Sequence, residues 1–574
     1  MTLEHARPTL DAVASLERLL GDPADGEGPF SFAGIVAAEE RDELPAGAKK
    51  LLLEWGFAGF LVPEGDGGRL RNLESALLLT RTLARRNLTF SVLFGSTLLG
   101  AAPVWLWGTD EQRAPVAEGL AAGAMACFGI SERDHGSDLA ASGTTAVSDG
   151  DHIVLNGEKW PVGNATRSRF VSVLAQHDGR GLSLFLVDKE RLADGAWTNT
   201  PFVKGAGLRG HDLSGITFHD ARVPRSALVG RPYRGLASVL KTLQITRTAI
   251  GAMSLGTMDS ALRIGMRYAN ERVLYGSPVK EIPVVREHLV GAHLDLLIAE
   301  CVALPVARAL SVVPSRMSLW SSVVKYLVPV MGEEVLDHVG KVLGARGYLR
   351  EGVASGVLQK LRRDHAITTV FEGTTHVNLH SIATQLPTVA AVADRPAEGG
   401  REVLRALFGW SREAPVWSPS GDTLQLTSAA QDEITRGWTE AVQEASAVAK
   451  ERLDEESAAE LALVLAELTS HRAALYAEVT GADRSPDSVA ASRAAARHCV
   501  LHAAASCLYV WLYGGARERS AVRGDAWLIL ALQRLVQRLE PGRLPAERHR
   551  DGFVRCMESA LAKGEDFSLL PTVS

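Results

Sequence analysis

The chain has 574 residues, a net charge of −6, 46% hydrophobic and 22% charged residues. Such a balance is ordinary for a globular protein in water and provides no basic surface for nucleic acid, while the length asks for several domains or one large layered unit. Five scattered cysteines (Cys127, Cys301, Cys499, Cys507 and Cys556), with no CxxC pair, argue against a disulfide framework or a cysteine-ligated zinc and favour a reducing, cytoplasmic setting. The N-terminal stretch lacks the apolar core of a signal peptide. No uninterrupted apolar run reaches the roughly 18 residues of a membrane span, so no integral membrane segment is expected.

Residues 1–125 read as a helical domain, with a Gly/Pro-rich loop, "GFAGFLVPEGDGG" (56–68), ahead of one long apolar-periodic segment, Leu73 to Leu99. The period changes near Cys127. "DGDHIVLNGEKW", "RFVSVLAQ", "LSLFLVDK" and "GITFHDARVP" are short β-rich runs between Gly, Asp and Asn turns, an all-β domain over 126–232. Long amphipathic segments at 235–272, 281–311, 317–343 and 355–386 predict a four-helix bundle over 233–392. A polar linker (393–402) then leads to a further helical domain, 403–574, in which Leu461, Leu465, Leu468 and Leu475 share one helix face.

Some patterns carry no chemistry. "GAGLRG" (205–210) matches G-x-G-x-x-G, but a β-type run follows it instead of the helix a dinucleotide fingerprint needs, so it reads as a loop. His288 and His293 are five apart, about 140° round a helix, and make no zinc face. "KERLDEES" reads as a solvated acidic helix. No metal site is expected.

Four stretches do carry chemistry. In "CFGISERDHGSD" (127–138) backbone N–H groups and the Ser131 and Ser137 hydroxyls suit a ring system or a phosphate. "KWPVGNAT" (159–166) puts Trp, Pro and Gly at a strand end. "YANERVLYG" (268–276) places Arg272 near a helix end. In "RRDHAITTVFEGTTHVN" (362–378), Glu372 lies between apolar Val370–Phe371 and a glycine break. It is either a helix-end glutamate bonded to backbone or a desolvated carboxylate able to act as a general base on carbon.

Together with "GFAGFLVPEGDGG" and "GLRGHDLSGITFHDARVP", these motifs resemble the acyl-CoA dehydrogenase family, in order and in register, over roughly residues 30 to 390. The resemblance implies a mainly α fold with a central β-barrel: N-terminal helical domain, barrel and four-helix bundle, here with an extra C-terminal helical domain. It implies FAD, and oxidation of an acyl thioester, on CoA or a carrier protein, to the α,β-unsaturated product by α-proton abstraction and β-hydride transfer to flavin N5. Glu372 then matches the base. The alternative base position, before Arg247, holds Thr246.

Phe128, Ile130, Ser131 and Ser137 match the flavin-side segment, and Ser137 a thioester-side contact as well. Pro161, Val162 and Gly163 occupy the strand against the flavin. Arg272 matches the arginine that reaches the FAD pyrophosphate of a neighbouring subunit. Gly344 and Gly347 match the adenosine side, and Thr374 and His376 further FAD contacts. Gln244, Arg247 and Gly373 fall on the substrate side. Contacts that cross subunits imply a homodimer or homotetramer, and the electron acceptor implied is an electron-transfer flavoprotein or O2. The chain departs from the pattern where Pro161 takes an aromatic slot and Gly163 a threonine slot, with Trp160 displaced by one residue to the other strand face. Ile282–Pro283 replaces a His-Gln-like pair, and Gln244 an acidic residue common in CoA-using members.

A small Gly163 would leave room for oxygen. A second reading is therefore a decarboxylase-dehydrogenase-monooxygenase that makes α,β-epoxyketones in natural-product biosynthesis. A third is a fold relic that serves as an assembly partner.

Overall fold

A computed structural model of the protein describes residues 8–24, 26–395, 397–481, 485–515, 524–544 and 547–570. The N-terminal part forms helices α1 (Pro8–Leu20), α2 (Phe32–Glu39), α3 (Ala48–Trp55), α4 (Leu73–Ala84), α5 (Leu88–Trp107) and α6 (Asp110–Ala121). The apolar segment from Leu73 to Leu99, expected as one element, is two. The Asn87 side chain takes the Thr89 N–H at 3.0 Å and restarts the helix as α5.

Eight strands follow: β1 (Met125–Gly129), β2 (Thr145–Asp149), β3 (His152–Gly163), β4 (Ser168–His177), β5 (Gly181–Asp188), β6 (Trp197–Asn199), β7 (Leu213–Pro224) and β8 (Leu228–Val229). Their order is β6-β7-β3-β2-β4-β5-β8, with β1 added parallel to β4. The β3–β7 register slips between Lys159 and Val162. Trp160 and Pro161 fall in that bulge, because proline brings no N–H to a ladder. "GAGLRG" lies in irregular backbone between β6 and β7, as a loop.

The bundle comprises α7 (Gly235–Glu271), α8 (Pro283–Val312), α9 (Met317–Leu343), α10 (Val357–His365) and α11 (Thr375–Ala390). Its expected fourth helix, 355–386, is broken between α10 and α11, and Glu372 sits in the break. The remainder is α12 (Gly400–Phe408), an irregular strap (409–432), α13 (Glu433–Arg436), α14 (Trp438–Arg452), α15 (Glu455–Thr480), α16 (Val489–Tyr513), α17 (Ala526–Leu539) and α18 (Arg550–Lys563). Leu461, Leu465, Leu468 and Leu475 are all buried along α15. "KERLDEES" is not one helix but the corner between α14 and α15, where the Asp454 carboxylate caps α15 through the Ser457 N–H at 2.8 Å.

Helices α5 and α8 are long and apolar enough to cross a membrane, but 83% and 100% of their apolar windows are buried within the fold. Every residue of α8 from Leu289 to Leu310 is buried. Its charged groups are each answered by another part of the chain. Asp295 accepts from Arg534 at 2.8 Å and Arg538 at 3.0 Å, both on α17. Glu300 pairs with Arg81 of α4 and accepts the Leu569 N–H at 2.7 Å. Arg308 pairs with Glu74 of α4 at 2.8 Å. Burial opposes ionisation of Asp295, and Arg538 and Arg534 override it, holding the carboxyl well below the usual range. Asp295→Asn leaves two guanidinium groups without their buried counter-charge. The expected loss is about 3–5 kcal/mol, read as a lower denaturant midpoint; an unchanged midpoint would show the pairs to be dispensable.

Candidate active site

Beyond α10 a short 3₁₀ turn (Ala366–Thr369) leads to two successive residues with positive φ, Glu372 at 56° and Gly373 at 107°. Such backbone is uncommon for a non-glycine residue and is held here by side chains. Arg247 Nε, on α7, donates to the Glu372 carbonyl at 3.0 Å. Asn378 Nδ2 donates to the Gly373 and Thr374 carbonyls, both at 2.9 Å. A Cβ on Gly373 would come within 3.1 Å of Arg247 Nη2, so position and φ both demand glycine. Thr374 then caps α11 by accepting the Val377 N–H at 3.4 Å.

The Glu372 carboxyl faces the interior. Its Oε2 is buried without a hydrogen-bond partner. Burial raises its proton affinity above the usual carboxylate value, and the Thr246 hydroxyl, the Lys325 ammonium and the Arg247 guanidinium offset only part of that rise. Lys325, buried in α9, donates to the Thr368 carbonyl at 2.6 Å and lies 5.8 Å from the Phe371 ring. Burial brings Lys325 down to about 8. Phe371, next to Glu372 in the chain, packs with Leu208 on an apolar wall of Leu88, Val92, Ile250 and Met253. Glu372, Gly373, Thr246 and Arg247 are therefore brought together. Lys325 was missed; its signal was a lone lysine in the apolar run "SSVVKYLVPVM".

The second half of the site is the β1–β3 edge. Phe128 is buried in β1, Ile130 and Ser131 are half-buried and Ser137 is exposed. The Ser131 carbonyl accepts the Trp160 N–H at 2.9 Å, which docks the loop on the β3 bulge. Glu132 shapes that loop: it accepts from Lys159 Nζ at 2.7 Å, Gly143 N–H at 2.7 Å and Thr144 N–H at 3.0 Å. Despite burial, these donors hold its carboxyl far below the usual range. The Arg133 guanidinium stacks 4.6 Å from the Trp160 ring centroid. Pro161 is exposed, Val162 buried and Gly163 half-buried.

The room expected at Gly163 is taken. A Cβ there would meet Ser96 Oγ at 3.0 Å and His211 Nε2 at 3.1 Å. His211 is kept neutral by burial, down to about 4, and its Nδ1 has no partner. The "GAGLRG" loop links this wall to α10: the Leu208 N–H donates to Asp364 at 2.7 Å, and Arg363 Nη1 to the Ala206 carbonyl at 2.8 Å.

Other expected residues lie apart. Arg272 is 25 positions beyond Arg247 on the same helix line, about 37 Å at 1.5 Å per residue. It makes no ion pair among the described residues and stands beside Tyr275, which is 98% exposed. Gly344, with φ of 56°, ends α9 in exposed backbone, and Gly347 is buried behind it. His376 is exposed. Gln244 is not open to a ligand through its N–H2 donor, which the strap takes: Nε2 donates to the Gln425 carbonyl at 2.7 Å, and its Oε1 is left unpartnered. Lys241 Nζ likewise reaches the Gly421 carbonyl at 3.1 Å.

Three family models cover this part of the chain in order: acyl-CoA dehydrogenase N-terminal domain over 33–124, middle domain over 127–221 and C-terminal domain over 233–386. The chain belongs to the acyl-CoA dehydrogenase family. It is thereby an FAD-dependent oxidoreductase. A probable acyl-CoA dehydrogenase of Mycobacterium tuberculosis is 28% identical over 344 residues, 59% of this chain and 87% of that protein. The mitochondrial short-chain specific acyl-CoA dehydrogenase of Homo sapiens is 27% identical over 361 residues, covering 61% and 85%. The fold of an acyl-CoA dehydrogenase complexed with FAD from Bacillus anthracis superposes on 99% of this chain and 90% of that one, with a TM-score of 0.66 at 20% identity. The fold likeness therefore extends through the C-terminal block.

Lys325 favours the ionised form of Glu372. Lys325→Met is expected to move the acid limb of kcat/KM upward by about one pH unit, with the plateau reached at higher pH. A profile that stays in place would remove Lys325 from the base's surroundings.

Proposed function

We propose that the protein dehydrogenates an acyl thioester, carried on CoA or a carrier protein, with Glu372 removing the α-proton. The observation that carries this reading is the Glu372 carboxyl: buried, raised in proton affinity, with one oxygen free, and next in the chain to Phe371 of an apolar wall. An α-proton beside a thioester is weakly acidic, so the base needs poor hydration, and the carbonyl must be polarised where charge develops. Arg247 fixes the strained turn at Glu372–Gly373 through the Glu372 carbonyl. The apolar wall accepts the acyl chain and excludes water from the reacting carbons.

The residues present suit FAD. Ile130, Ser131 and Ser137 are half-buried or exposed beside Pro161 and Gly163, and His211, whose Nε2 faces Gly163, keeps an Nδ1 without a partner among the described residues. When bound, FAD supplies the acceptor for the β-hydride. Arg272 offers an uncommitted guanidinium fork for phosphate. Its distance along α7 from Arg247, with exposed Tyr275 and Tyr348 (88%), supports a homo-oligomer in which Arg272, Gly344, Thr374 and His376 complete a neighbour's cofactor site. The working units are 1–125, 126–232, 233–392 and 403–574. An electron-transfer flavoprotein as acceptor accords with the family. Ser96 and His211 crowd the Cβ side of Gly163, which supports dehydrogenation over oxygen insertion.

Glu372→Gln should retain FAD and slow anaerobic flavin bleaching by the acyl thioester by about 10²–10⁴-fold; unchanged bleaching sinks the assignment. Turnover under labelled oxygen gas is expected to give product without the label.

A further inference from the structure

The C-terminal block holds a convergence of side chains that the sequence does not bring into view. His498 and His502 lie one turn apart on one face of α16, and both are fully buried. Asp432, at the end of the strap, is buried against them. One donor atom from each of the three lies within 4.8 Å of the others.

The charge at Asp432 is poorly matched by what surrounds it. Its Oδ1 accepts from Trp320 Nε1 at 2.7 Å and its Oδ2 from the Thr435 hydroxyl, both neutral donors. Among the described residues no lysine or arginine pairs with it, and the only ring facing it at ion-pair range is His498, Nε2 to Oδ2 at 3.8 Å. Arg472, on the neighbouring α15, is taken by Asp394 at 2.8 Å and the Ala393 carbonyl at 2.7 Å. A buried carboxylate without a cation is costly.

The imidazoles present the complementary feature. His498 Nδ1 meets the Tyr476 hydroxyl at 3.3 Å, while its Nε2 has no hydrogen-bond partner. Among the described residues neither ring nitrogen of His502 has a hydrogen-bond partner. Neutral imidazole is the form that binds metals.

We propose that Asp432, His498 and His502 bind one divalent transition-metal ion of the zinc class. Two imidazoles and a carboxylate, without thiolate, suit zinc and its close substitute cobalt. The surrounding bonds match what metal ligands require: Tyr476 orients His498, and Trp320 with Thr435 orient Asp432. Donor atoms now up to 4.8 Å apart close to about 3.3 Å around a tetrahedral ion. The ion ties the strap to α16 and, through Trp320, to α9, and it takes no part in the oxidation.

The test uses the full-length, FAD-loaded protein produced with zinc in the medium. Elemental analysis is expected to find about one zinc per chain, and His502→Gln and Asp432→Asn should each fall below a tenth of that. Replacement of zinc by cobalt in the wild-type protein should produce the intense visible bands of a tetrahedral cobalt centre, a readout that needs no variant to fold. Chelation should lower the melting temperature while leaving FAD bound. Metal-free wild-type protein after equilibration with zinc and with cobalt overturns the proposal, leaving a hydrated neutral histidine pair. Equal metal content in the wild type and both folded variants overturns it as well.

Discussion

The molecule is organised around a helix that meets no solvent along most of its length. With α8 buried from Leu289 to Leu310, three charged side chains on it must find partners or pay the desolvation of an ion in an apolar interior. Each finds one in a different place. Asp295 draws in α17, Glu300 draws in Arg81 and the segment after α18, and Arg308 draws in Glu74 of α4. Apolar packing alone would tolerate sliding of one helix past another; three charges at fixed heights on α8 do not. The N-terminal helices, the bundle and the C-terminal block consequently share one register.

That register serves a single backbone irregularity. Glu372 and Gly373 adopt conformations that an ordinary helix forbids, and they persist because Arg247 and Asn378 claim the carbonyls on either side. The same turn that aims the carboxyl inward also starves it of partners. Thr246, Lys325 and Arg247 moderate its proton affinity without cancelling the effect of burial. The "GAGLRG" loop is bonded to α10 through Asp364 and Arg363 and runs directly into His211 beside Gly163, so α10 and the end of β3 are positioned by a common set of contacts.

Much of this was legible in the residues because the signals were local. Apolar period, glycine breaks and the run from Val370 to Thr374 located the helices, the sheet and the turn that carries Glu372. Other features depend on a side chain acting at a distance or on a cap that periodicity ignores. Asn87 divides a segment whose apolar pattern runs on unbroken. Asp454 turns an acidic stretch into a corner. Ser96 and His211 fill the space at Gly163 from positions 67 residues before it and 48 after it. Gln244 meets Gln425 across 181 positions. No pattern along the chain encodes such pairs; only the folded path creates them.

The strap has a consequence for how the chain can be divided. Its carbonyls serve donors that belong to the catalytic half: Ala414 for Asn72, Arg412 for Arg308, Gly421 for Lys241 and Gln425 for Gln244. Cutting the chain after residue 392 would not return a shorter enzyme of ordinary family length. It would strand these donors, several of them buried, and open the apolar flank of α8. The C-terminal block is thus no passenger that recombination or gene trimming can remove: the catalytic half has become dependent on it.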